Sequence, residues 1–85
     1  MQNKIQYFLD KTQEEAAEII QAVSKIRRFG PDHNHPDRTT TNRQEFVGEL
    51  EDLLALIAAL EHQNFIDLRT SQPNIAQKFK ALTGL

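Results

Sequence analysis

Two acidic clusters carry the chemical potential of this 85-residue sequence. Glu14, Glu15 and Glu18 crowd into little more than one helical turn, and Glu45, Glu49 and Asp52 repeat the theme further along. Carboxylates at such spacing can do acid–base work, or hold a hard divalent cation through oxygen ligands, which suits Mg²⁺ or Mn²⁺. The chain has no cysteine, and neither acidic face carries a histidine, so zinc is disfavoured. His33 and His35 lie in a Pro-flanked stretch where solvated imidazoles are the simpler reading, and His62 reads as a surface residue.

The clusters must be positioned by helices. From Asn3 to Phe29, large apolar residues (Ile5, Phe8, Leu9, Ile19, Ile20, Val23, Ile26, Phe29) recur at steps of three, four and seven, with no Pro or Gly between them. Gly30-Pro31 ends this pattern, and Lys25, Arg27 and Arg28 complement the helix dipole in its last turns. Residues 30–41 form a polar, Pro-punctuated connection, long for a compact domain. A second helix opens at Thr41 or Asn42, since Thr41 with Gln44 and Asn42 with Glu45 both resemble capping boxes. Its apolar residues Phe46, Leu50, Leu53, Ile57 and Leu60 carry it to about Gln63. A short third helix begins at Ser71-Gln72-Pro73, with Ser71 as expected cap and Ile75, Phe79 and Leu82 on its apolar side.

The acids are misplaced for ordinary solvated faces. At about 100° per residue, Glu15 falls within about 40° of Phe8, Ile19 and Ile26, inside the apolar arc, with Glu18 at its edge. On the second helix Glu49 falls between Leu56 and Leu60, with Asp52 and Glu45 at the edge. If the two helices run antiparallel and bury these arcs together, Glu15, Glu18, Glu49 and Asp52 converge on one partly desolvated patch. The acids then sit at matching depth, roughly 15 Å from the hairpin end. Four like charges there must protonate or find a cation. Lys25 lies nearest and cannot balance four acids, whereas a divalent cation can.

The residues form a family pattern. Glu14-Glu15-Ala16-Ala17-Glu18 reads E-E-x-x-E, Glu49-Leu50-Glu51-Asp52 reads E-x-x-D, and AVSKIRRFG with GPD…NHPD…TTNRQ lies between. This pairing resembles the MazG-like branch of the all-α nucleoside triphosphate pyrophosphohydrolases, over about residues 5–62. The resemblance implies Mg²⁺-dependent cleavage of NTPs or dNTPs between the α- and β-phosphates, giving a monophosphate and pyrophosphate. It implies metal ligands at Glu15, Glu18, Glu49 and Asp52, the four that the helical geometry brings together, and phosphate contacts at Lys25 and Arg28. Glu14 or Glu45 could take the proton of the attacking water; the sequence does not choose. Phe8, Phe29 and Phe46 are core residues that could also wall a base site.

Composition sets the remaining expectations. The chain should be one all-α domain over residues 1–85: two long antiparallel helices plus a short C-terminal one. A core this thin calls for a partner, so a homodimer or homotetramer completing a four-helix bundle is expected. A net charge of −2 disfavours a nucleic-acid partner. No apolar run reaches membrane-spanning length, and Met1-Gln2-Asn3-Lys4 leads directly into an amphipathic stretch, so no signal peptide and a cytoplasmic setting are expected. The rival reading is a non-catalytic helical dimerisation module whose acidic faces are merely solvated. Divalent-cation dependence separates the two.

Overall fold

A computed structural model describes residues 3–85. The order is α1 (Asn3–Phe29), α2 (Asn42–His62) and α3 (Gln72–Thr83), with no strand among the described residues. Among the described residues no helix is long and apolar enough to cross a membrane.

Local chemistry sets the boundaries. Gly30 stops α1 in the left-handed region at φ 92°, and its N–H donates to the Ile26 carbonyl at 2.8 Å. Of the two capping boxes the sequence offers at α2, the chain forms the one at Thr41. The Thr41 hydroxyl accepts from Gln44 N, and the Gln44 side chain accepts from Thr41 N. At the other end of α2, Asn64 adopts φ 59°. Asn64 N donates to the Glu61 carbonyl at 2.9 Å and Phe65 N to the Leu60 carbonyl at 3.1 Å, the paired bonds of a Schellman motif. Ser71 does not act as the expected cap. Its backbone is already helical (φ −90°, ψ −5°), so its hydroxyl makes no capping hydrogen bond, and Pro73 in the first turn starts α3 instead.

Helices α1 and α2 pack against each other as an antiparallel hairpin: Lys25 meets Glu45 near the connection, and Tyr7 and Phe8 share a cleft with Ala55 and Leu56 at the far end. Ile5, Ala22 and Leu60 are buried between them, yet none of the described side chains is fully buried. Both helices keep a second apolar stripe in the open. Ile20 is 70% exposed and Leu54 65%, and Val23 and Val47 are exposed beside them. Helix α3 packs on neither of the others, and its Ile75, Phe79 and Leu82 are exposed. The radius of gyration is accordingly 15.8 Å, against about 12 Å for a compact chain of this length.

The connection between α1 and α2 is folded, not loose. Asn42 is buried, and its Nδ2 donates to the Gly30 carbonyl at 3.0 Å. Asn42 N donates to the His33 carbonyl and Arg43 N to the Pro31 carbonyl, at 2.9 and 2.8 Å. The Arg43 guanidinium reaches Asp32, and the His33 ring stacks on Phe29.

Candidate functional site

The hairpin brings Glu15, Glu18 and Glu49 together. One carboxylate oxygen from each lies within 4.8 Å of the others. The three are graded in exposure: Glu15 is buried, Glu49 half-buried and Glu18 exposed. Glu15 is 8% exposed, as its place inside the apolar arc of α1 requires. Glu15 Oε1 and Glu49 Oε2 are buried without a hydrogen-bond partner. Two adjacent unsatisfied anionic oxygens are costly, and the remedies are a shared proton or a cation.

Proton uptake is favoured at two of the three acids. The Glu49 carboxylate beside it raises the Glu18 carboxyl above its ordinary value, helped by partial desolvation and the charges of Asp52 and Glu14. Glu49 is also raised, first by the neighbouring Glu15 carboxyl, with desolvation and the charge of Asp52 adding, while Glu18 pulls the other way. Among the described residues no ion pair reaches Glu15, Glu18, Glu49 or Asp52. Asp52 is exposed and lies outside the close trio, but it shares a cleft with Glu14, Glu15 and Glu18 and acts on the cluster through its charge.

Clefts open on both sides of the trio. The inner one, roughly 350 Å³, is lined by Glu18, Gln21, Ala22, Lys25, Arg38, Asn42, Glu45 and Glu49. It holds the cations Lys25 and Arg38 together with the carboxylates Glu18, Glu45 and Glu49. The outer one, roughly 360 Å³, is lined by Tyr7, Phe8, Lys11, Glu14, Glu15, Glu18, Asp52, Ala55 and Leu56. It joins aromatic and aliphatic walls to the acids.

The other sequence candidates separate. Lys25 lines the inner cleft and lies 3.9 Å from Glu45. Arg28 packs over the Phe29 ring at 5.2 Å, on the exposed end of α1, and is not brought to the carboxylates. Glu14 is exposed on the outer cleft and paired with Lys11 at 3.2 Å. Glu45 has both oxygens engaged: Oε1 by Lys25 and Arg38, Oε2 by the Thr40 hydroxyl at 3.4 Å. Phe8 walls the outer cleft, whereas Phe29 stacks on His33 away from it. His33 and His35 are exposed, and the His35 Nδ1 accepts from Asp37 N.

Sequence reasoning passed over Tyr7 and Lys11. Their signal was available, because positions 7, 11, 14–15 and 18 follow one face of a helix, with Lys11 reaching the Tyr7 ring at 5.6 Å. Comparison of the chain with family models, curated proteins and solved structures returns no match.

Proposed function

We propose that the chain is a Mg²⁺-dependent nucleoside triphosphate pyrophosphohydrolase, of the MazG-like kind that its acidic motifs resemble. One observation carries the reading: the convergence of Glu15, Glu18 and Glu49 to within 4.8 Å, with buried Glu15 and Glu49 oxygens that no protein donor satisfies. An all-oxygen, anionic donor set fits Mg²⁺, with Mn²⁺ as a substitute. Glu15, Glu18 and Glu49 would hold the cation, joined by Asp52 from the cleft edge. When bound, it supplies charge neutralisation for a phosphate chain and an acidified water.

The rest of the work falls to side chains. Lys25 lines the inner cleft with Glu18 and Glu49, where it can meet phosphate oxygens. Glu14 is the better placed of the two proton acceptors that the sequence offers. It lines the outer cleft beside Glu15 and Glu18, whereas Glu45 is occupied by two cations and a hydroxyl. Tyr7 and Phe8 offer a stacking wall for a base in that cleft.

The functional unit in this proposal is a homodimer or homotetramer. The open stripe of Ile20, Val23, Val47 and Leu54 gives a second hairpin a surface to complete a four-helix bundle. That same stripe favours the rival reading, a non-catalytic assembly module, which the orphaned carboxylate oxygens argue against.

The variants Glu15→Gln, Glu18→Gln, Glu49→Gln and Asp52→Asn test the proposal. Each should abolish pyrophosphate release from NTPs and dNTPs while circular dichroism shows the helices intact. A variant that keeps near-normal turnover removes its residue from the ligand set. Four such variants would end the enzymatic reading.

A further inference from the structure

The connection between α1 and α2 contributes one side chain to the inner cleft, Arg38. Its backbone is pinned on both sides. Arg38 N donates to the His35 carbonyl at 2.9 Å, and the Arg38 carbonyl accepts from Asn34 Nδ2 at 3.0 Å. Asn42, buried beneath, ties the connection to Gly30 and His33. The guanidinium alone is therefore the adjustable part, and it rests on Glu45, which also holds Lys25. Two cations thus share one carboxylate, in a cleft that Glu18 and Glu49 also line.

We propose that Arg38 is a specificity residue for the distal phosphates of a polyphosphate chain, and that Glu45 is the latch that holds Arg38 and Lys25 until such a chain displaces it. The inference rests on the pyrophosphohydrolase reading for the substrate's identity, but its own content is anion binding. A cleft of roughly 350 Å³ is of the size that small-ligand sites occupy. A phosphate chain lying in it would meet the cation-holding carboxylates Glu18 and Glu49 and, in the same cleft, the Arg38 guanidinium and the Lys25 ammonium. A planar guanidinium can bind two phosphate oxygens at once, which an ammonium cannot. Glu45 is then a positioning residue that competes with phosphate and is not a proton acceptor.

Calorimetric titration of the full chain with inorganic tripolyphosphate, with and without Mg²⁺, tests this. Arg38→Ala should weaken binding about tenfold or more, and Arg38→Lys should recover only part of it. Glu45→Gln should tighten binding about fivefold, the effect of one competing charge at roughly 4 Å in water. A kcat lowered about 10²–10⁴-fold in Glu45→Gln would make Glu45 the general base and overturn its assignment as a latch. Mn²⁺ binding, followed by electron paramagnetic resonance, should be the same in Arg38→Ala as in the parent. Equal tripolyphosphate affinity in Arg38→Ala and parent overturns the assignment. So does failure of the parent to bind tripolyphosphate in either condition, even if Mn²⁺ still binds and the carboxylate site stands. If Mn²⁺ fails to bind but tripolyphosphate binds and is lost in Arg38→Ala, the metal reading falls and the Arg38 assignment remains.

Discussion

Removing the Glu15 charge should stabilise the protein without metal and destabilise it, relative to the parent, with metal. Glu15 is buried, one of its oxygens has no partner, and two further carboxylates lie within 4.8 Å. Glu18 and Glu49 relieve part of the repulsion by taking up protons more readily than ordinary carboxylates. After that relief and solvent screening, the Glu15 charge costs of the order of 1 kcal/mol. Glu15→Gln keeps the shape and removes that cost, so the melting temperature in EDTA should rise by about 4–8 °C for a chain of this size. In Mg²⁺ at about 100 times its Kd, the parent should gain about 2.7 kcal/mol by linkage, or roughly 10–20 °C. The variant, lacking a ligand, should gain little. The two melting curves therefore exchange order between EDTA and Mg²⁺ when followed by circular dichroism at fixed protein concentration and ionic strength. A variant that melts below the parent in EDTA would show Glu15 to be an ordinary packing residue. A parent indifferent to Mg²⁺ would refute the metal reading of the cluster.

Two further outcomes follow from the same structure. With its second apolar stripe and α3 unpaired within the chain, the protein should melt at higher temperature as its concentration rises. Light scattering should give a dimer or tetramer mass at micromolar concentration, and a monomer mass there contradicts the assembly. Glu18 and Glu49 have raised values in the folded chain and return to about 4.3 on unfolding. The folded state therefore binds these protons more tightly. In EDTA the stability should increase as pH falls from 7 through the raised values, and the gain is complete below the unfolded value. The urea midpoint should be higher at pH 5 than at pH 7, and a lower midpoint would contradict the proton sharing.

The helices were legible because their signals are local. The uninterrupted apolar periodicity of 3–29, the Gly30-Pro31 stop and the Thr41–Gln44 box each act within a few residues of themselves. The carboxylate trio was legible for a related reason: once Glu15 and Glu49 fall inside apolar arcs, the only antiparallel pairing that buries both arcs makes the acids meet. What the sequence concealed depends on tertiary contact. Nothing in the spacing of Arg38 announces that a folded connection will aim it at Glu45, seven residues away. Asn42 reads as a cap candidate until the connection closes over it and buries its amide. Arg28 and Lys25 look equivalent on a helix end, but three residues of rotation put Lys25 in the cleft and Arg28 on Phe29. Ser71 reads as a cap, and its helical backbone angles prevent it from being one.

Phosphorus-31 nuclear magnetic resonance of the parent protein incubated with Mg²⁺ and each of the common NTPs and dNTPs bears most directly on whether this cluster hydrolyses nucleotides. For at least one substrate the triphosphate signals should give way to those of a nucleoside monophosphate and inorganic pyrophosphate, with no change in EDTA or with Glu15→Gln. Nucleoside diphosphate and orthophosphate as products, or no turnover of any of these nucleotides by a protein that binds Mg²⁺, would contradict the proposal.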